Sequence, residues 1–171
     1  MVIGRSAYEL HPELVAQNSR LMDFVRAGGT LVVQQGGLTT AQSRVLPYPI
    51  SFPRTGPERV AQADSRVTVL DPKARAMSWP NALRDSDWTN WVGSRAQFVP
   101  TTADSHYSSV IETHDADQPE NRNTILVAHL GKGTYVYTTL TFFDQIPAGV
   151  PGAMRLFVNL LGGPISGRQT P

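Results

Sequence analysis

The stretch from Ile125 to Leu161 constrains this chain more than any other. Ile125–His129 and Thr134–Thr138 have strand composition and are joined by Gly131-Lys132-Gly133, a spacing that predicts a β-hairpin. An irregular Pro/Gly segment follows. Pro151 then opens a closing helix, since proline at the first helical position loses no hydrogen bond. Met154, Leu156, Phe157, Leu160 and Leu161 give that helix a wide apolar face, and Gly162-Gly163-Pro164 ends it. The remainder, residues 164–171, reads as a frayed tail. A long helix after a hairpin has to pack on a sheet, so the chain belongs among proteins that mix helix and strand.

The first 34 residues repeat that message. Met1-Val2-Ile3-Gly4 reads as the end of a buried strand, and His11-Pro12 opens a helix. Leu14, Val15, Leu21, Met22 and Val25 form one apolar stripe at helical spacing. Gly28-Gly29 offers a left-handed cap, and Thr30–Gln34 is a β-branched run suited to a buried parallel strand. Together these make a βαβ unit. Between Gln35 and Asp64 the periodicity dissolves around Pro47-Tyr48-Pro49 and Ser51–Pro57, so residues 35–66 are expected to form an irregular Pro-rich arm. Val67–Leu70, Phe98-Val99 and Ser109–Glu112 are further short strand candidates. The fold class expected is α/β: a three-layer sandwich around a flavodoxin-like, mostly parallel sheet with a long irregular excursion, all in one domain spanning 1–171.

Composition removes several function classes. The chain has 171 residues, enough for one domain, and 40% hydrophobic and 17% charged residues mark an ordinary globular composition. The net charge is +1 with no Lys/Arg cluster, which argues against nucleic acid and anionic membrane surfaces as partners. There is no cysteine, so disulfides, thiolate metal sites and a cysteine nucleophile are excluded. That composition suits bacterial cytoplasm or periplasm equally. No apolar run of about 18 residues occurs, so membrane insertion through a helix is not expected.

Order and spacing across nearly the whole chain carry a resemblance. The residues are Ile3-Gly4-Arg5-Ser6-Ala7-Tyr8-Glu9; Leu21–Gln34 (LMDFVRAGGTLVVQ); Asp71-Pro72 with Trp79-Pro80-Asn81 and Asp87-Trp88; and Gly131–Tyr137 with Pro147–Ala153 and Leu156–Leu161. The combination resembles the ThuA-like branch of the class I glutamine amidotransferase-like superfamily. More closely, it resembles the domain found C-terminal to PIG-L (LmbE-like) deacetylases in bacterial proteins. The resemblance implies a PIG-L-type deacetylase, as a domain or a separate protein, for a partner. Glutaminases of the superfamily use a cysteine at a strand-to-helix elbow, which this chain lacks. The deacetylases' His-Pro-Asp-Asp zinc motif is also absent, and His114-Asp115-Ala116-Asp117 echoes it only superficially. Domains of this type usually begin with another strand and helix. The resemblance therefore implies a fragment, a late start or a trimmed family member, with one side of the Met1–Ile3 strand unpaired. Self-association as a homodimer is the simplest cover for that side, and the arm's Leu46, Tyr48, Ile50 and Phe52 are the alternative.

Four constellations are candidate sites. Ser6 follows a strand and precedes a helix, where a serine nucleophile with His106 or His129 would make a hydrolase; Tyr8 stands where G-x-S-x-G wants its second glycine. The bland alternative is that Ser6 and Glu9 satisfy backbone groups at a helix entrance; a ligand bound at this strand end would meet Ser6, Tyr8 and Glu9, since open α/β sheets bind beyond their carboxyl edges. His114, two residues after Glu112, and Asp115 are weak metal-ligand candidates without a recognisable spacing, so no metal or other cofactor is expected. Trp79, Trp88 and Trp91 with Asn81, Asp85 and Asp87 could stack on a glycan, or could anchor a loop as a satellite hydrophobic cluster. Gly131-Lys132-Gly133 lacks the frame of a phosphate loop. His129 lies in a buried-strand pattern and is expected to be a hydrogen-bonded core histidine. The leading function is a non-catalytic accessory domain that docks the deacetylase or binds a glycan. A Ser6 hydrolase and a free-standing carbohydrate-binding module are the alternatives.

Overall fold

A computed structural model describes residues 1–36, 42–53 and 59–162. The expected tail, 164–171, and two stretches of the arm, 37–41 and 54–58, lie outside the described residues. The chain opens with strand β1 (Val2–Ile3), three short helices α1 (Ala7–Leu10), α2 (Pro12–Ala16) and α3 (Asn18–Arg26), and strand β2 (Thr30–Gln34). Pro12 occupies the first position of α2. The expected apolar stripe thus runs across a break at Gln17 rather than along one continuous helix. Gly28 ends α3 at φ 116°, with Gly29 N–H donating to Phe24 O and Gly28 N–H to Val25 O. This is the left-handed termination that glycine permits.

The middle of the chain makes small pieces: β3 (Ile50–Ser51), β4 (Arg59–Val60), β5 (Val67–Val69), α4 (Arg75–Ser78), β6 (Ala96–Gln97), β7 (Thr102–Ala103), β8 (Ser108–Ser109) and β9 (Ile111–Thr113). A hairpin, β10 (Ile125–Leu130) and β11 (Gly133–Thr138), leads through α5 (Phe142–Gln145) to α6 (Pro151–Leu161). Gly131 turns the hairpin at φ 57°, and the hairpin presses so closely on the end of α3 that a Cβ at Gly133 would sit 1.9 Å from Val25 O.

The central sheet has the order β1-β2-β11-β10-β8. β1 and β11 run parallel to β2, whereas β10 is antiparallel to both β11 and β8. The expected flavodoxin-like, mostly parallel three-layer sandwich is therefore wrong: half the pairings are antiparallel. The reason is local. A parallel partner requires a crossover of a dozen or more residues, and a two-residue turn between β10 and β11 forces them antiparallel. The segment between β2 and β10, meanwhile, builds three separate antiparallel ribbons, β3–β7, β4–β6 and β5–β9, instead of further βα units. The candidate strand Ser109–Glu112 divides at Val110, with β8 joining the central sheet and β9 pairing with β5. Phe98 adopts φ 55° and lies outside any strand, so the extended residues there are Ala96–Gln97.

Two clusters bury the sheet. Leu31, Val33, Leu126, Ala128, Tyr135 and Tyr137 pack with Met22 and Val25 of α3 on one face. Val32, Ile125 and Val136 pack on the other with Leu156 and Leu160 of α6. The arm's Val45 and Ile50 are buried against the α3 face, with Leu46, Tyr48 and Phe52 half-buried beside them. The arm thus lies over a face of the sheet, and among the described residues β1 is an edge strand bonded on one side only. No helix of the described residues is long and apolar enough to cross a membrane.

Candidate functional site

Ser6 sits just past the carboxyl end of β1, where the chain turns sharply into α1. Its φ is 55°, in the left-handed region serine seldom visits, and its N–H donates to Gln35 O at 3.0 Å. Its side chain makes no capping bond to α1 and Glu9 is exposed, so neither plays the helix-entrance role considered for it. The adjoining cavity, lined by Ser6, Tyr8, Leu46 and Tyr137 among others, is about 20 Å³, room for one water. Tyr8 Oη donates to Asn18 Oδ1 at 2.8 Å, and burial raises its pKa to about 12, so it stays a neutral donor.

No histidine lines that cavity. His129 pairs with Thr134, and Thr134 with Thr30 at the start of β2, whereas Ser6 lies beyond the opposite end of the parallel strands. The length of β2 alone separates them by roughly 13 Å at 3.3 Å per residue. His129 is also exposed, so it is not the core histidine its strand pattern suggests. It shares a face of β10 with Ile125 and Val127, and burial on that face falls off toward the strand's end. His106 lies two residues before β8 at the sheet's far edge, four strand spacings from β1, or about 19 Å. Its ring stacks on Tyr48 at 4.2 Å, and its Nδ1 lies 2.6 Å from Asp104 Oδ1. The histidine partners proposed for Ser6 are therefore not brought to it.

The second constellation splits in two. His114 Nδ1 lies 2.5 Å from Glu112 Oε1, the same-face pairing that their spacing along a strand predicts. Asp115 turns away and accepts hydrogen bonds from Ala61 N–H at 2.8 Å, Gln62 N–H at 3.1 Å and Ser65 Oγ at 2.6 Å. Burial raises its pKa, but these donors outweigh that and hold the carboxyl below the usual range. Asp115 thus fastens the loop after β4. Among the described residues no three His, Asp or Glu side chains converge on a point where a metal could sit.

The tryptophans do not form a platform. Trp88 and Trp91 are buried, 6.1 Å apart, and Trp91 continues to Phe142 and Phe142 to Phe157 beneath α6. Trp91 Nε1 donates to Asp87 O, while Asp87 accepts from Arg84 N–H and from Arg155 of α6. Arg95, almost wholly buried, donates to Trp88 O and Ala63 O beside Trp91, and burial lowers its pKa to about 10. Asn81 is tied to Asn159 through its N–H and Nδ2. Only Trp79 is exposed, with Arg75 lying 3.7 Å from its ring.

One further opening corresponds to no motif. Between α4, the end of α6 and the sheet lies a cavity of about 200 Å³, whose lining includes Arg75, Thr30, His129, Val127, Val136 and Leu160. Its residues come from six separate elements, so no spacing in the sequence marks it. The only advance signal is the alternation that sends His129 to the same face as Val127.

No family model matches the chain, and no curated protein matches it. Among solved structures, the chain is similar to a β-galactosidase from Rahnella sp. R3, with 16% identity and a TM-score of 0.48. The alignment covers 84% of this chain and 21% of that one, so the chain spans about a fifth of that enzyme's length. A likeness this slight assigns neither fold nor function.

Proposed function

We propose that this chain is a non-catalytic, amidotransferase-like accessory domain that works beside a PIG-L-type deacetylase. One observation carries the non-catalytic reading: Ser6, the sole elbow candidate, has no histidine at its cavity, and His129 lies at the other end of the sheet. A serine hydroxyl without a base stays protonated at neutral pH and is a poor nucleophile. The absence of cysteine rules out the superfamily's own chemistry. The deacetylase partnership rests on the sequence resemblance. Docking is favoured over glycan presentation because two of the three tryptophans, and Asn81 and Asp87 with them, are spent on internal packing and hydrogen bonds.

The test is titration of the chain into a PIG-L-type deacetylase, followed by sedimentation velocity and by deacetylation of an acetylated sugar. A complex that sediments faster than either component supports the proposal. Absence of a complex at tens of micromolar, with unchanged deacetylation, counts against it.

A further inference from the structure

The 200 Å³ cavity beside α4 has a character of its own, independent of the accessory reading. Its floor is apolar, formed by Val110, Val127, Val136 and Leu160. Its cation is Arg75. Among the described residues Arg75 forms no ion pair, and its Nε is shielded from solvent without a hydrogen-bond partner. The guanidinium is held against the ring of Trp79 at 3.7 Å, which limits the orientations of its donor fork. The one acid in the lining, Asp71, already accepts a hydrogen bond from Lys73 N–H. Asn159, also in the lining, is fully engaged with Ala76 O, Asn81 O and the Asn81 amide.

We propose that this cavity is a binding site for a small carboxylate with an apolar body about the size of a benzene ring. A guanidinium presents paired N–H donors that receive both oxygens of a carboxylate, and among the described residues no acid pairs with this one. Size agrees: an apolar cavity of about 150 Å³ accepts benzene, so 200 Å³ leaves room for the acid group as well. The valine and leucine floor suits an apolar body, and the hydroxyl partners in the lining are limited to Thr30, Ser108, Thr134 and His129, the Asn159 amide being occupied. A phosphate ester fits poorly too, with a single unpaired cation and Asp71 nearby.

The probe is benzoate, titrated into the whole chain with NMR observation of the valine methyls, and benzyl alcohol is the neutral control. The site predicts saturable binding at one per chain, with shifts at Val110, Val127 and Val136 and none at Val33 or Val45 on the other face. Benzyl alcohol binds at least tenfold more weakly. Arg75→Gln, at a half-exposed position, brings benzoate down to the level of benzyl alcohol, and Val127→Phe abolishes binding of both. No saturation in the millimolar range, shifts confined to other residues, or benzoate affinity unchanged in Arg75→Gln overturns the proposal. The methyl map decides even if Val127→Phe fails to fold.

Discussion

Replacing Gly152 by alanine sets two effects against each other, and the structure decides which wins. Gly152 is the second residue of α6, and alanine in a helix is better than glycine by at most about 1 kcal/mol. On propensity alone Gly152→Ala would stabilise. A Cβ there, however, would lie 1.8 Å from Asp87 O and 2.6 Å from Asp87 Cα, and these are backbone atoms that cannot rotate aside. The helix must retreat by more than about 1 Å, a gap that forfeits a quarter to a half of each contact's attraction. The contacts at stake are those of Ala153, Leu156 and Phe157 with the Trp88–Trp91–Phe142 cluster, together with the Arg155–Asp87 ion pair. Overpacking of this kind costs about 1–3 kcal/mol, and the lost pair and contacts put this case at the upper end. The expected net loss is about 2 kcal/mol, or a Tm lowered by about 4–8 °C for a domain of this size. Urea unfolding of Gly152→Ala against Gly4→Ala provides the assay, because a Cβ at Gly4 meets nothing within 4 Å. A Gly152→Ala chain as stable as the parent would refute the close approach of α6 to Asp87.

Asp115→Asn should lose about 2 kcal/mol at neutral pH, because the amide presents a donor to three donors. The folded-state pKa of Asp115 is lowered, so its stabilisation is complete above the unfolded value of about 3.9 and is lost as pH falls through the folded value. The stability gap between parent and variant, measured by urea unfolding, should therefore close on acidification. Trp91→Ala should destabilise by about 3–5 kcal/mol, while Trp79→Ala at an exposed site should change thermal stability by less than about 1 kcal/mol; equal effects would revive a surface platform. Self-association through the open side of β1 should appear as mass that rises with concentration in light scattering, and a constant monomer mass would reject it.

The elements legible in the sequence are those encoded by local chemistry. The β10–β11 hairpin follows from two β-branched runs around Gly131-Lys132, α6 from Pro151 and its apolar spacing, and the end of α3 from Gly28-Gly29. What failed was anything decided by partners distant in sequence. The residues of β10 specify a strand but not its direction relative to β2, so nothing local in them distinguishes a parallel from a mixed sheet. Ser109–Glu112 has continuous strand composition, yet its two halves pair with β10 and β5, and nothing local distinguishes them. The strand-to-helix turn at Ser6 is legible from its neighbours, but the register that carries His129 to the far end of the sheet is not written in any motif. The tryptophans illustrate the same limit: Trp79 and Trp88 look alike in sequence, yet one is exposed and the other is buried beside Trp91.

The central claim, that this fold carries no hydrolytic machinery of its own, is tested most directly by turnover of a p-nitrophenyl ester and an acetyl-sugar ester by the purified chain and by Ser6→Ala. Parent and variant are predicted to be indistinguishable from each other and from the uncatalysed background. Turnover by the parent that disappears in a folded Ser6→Ala would contradict the account.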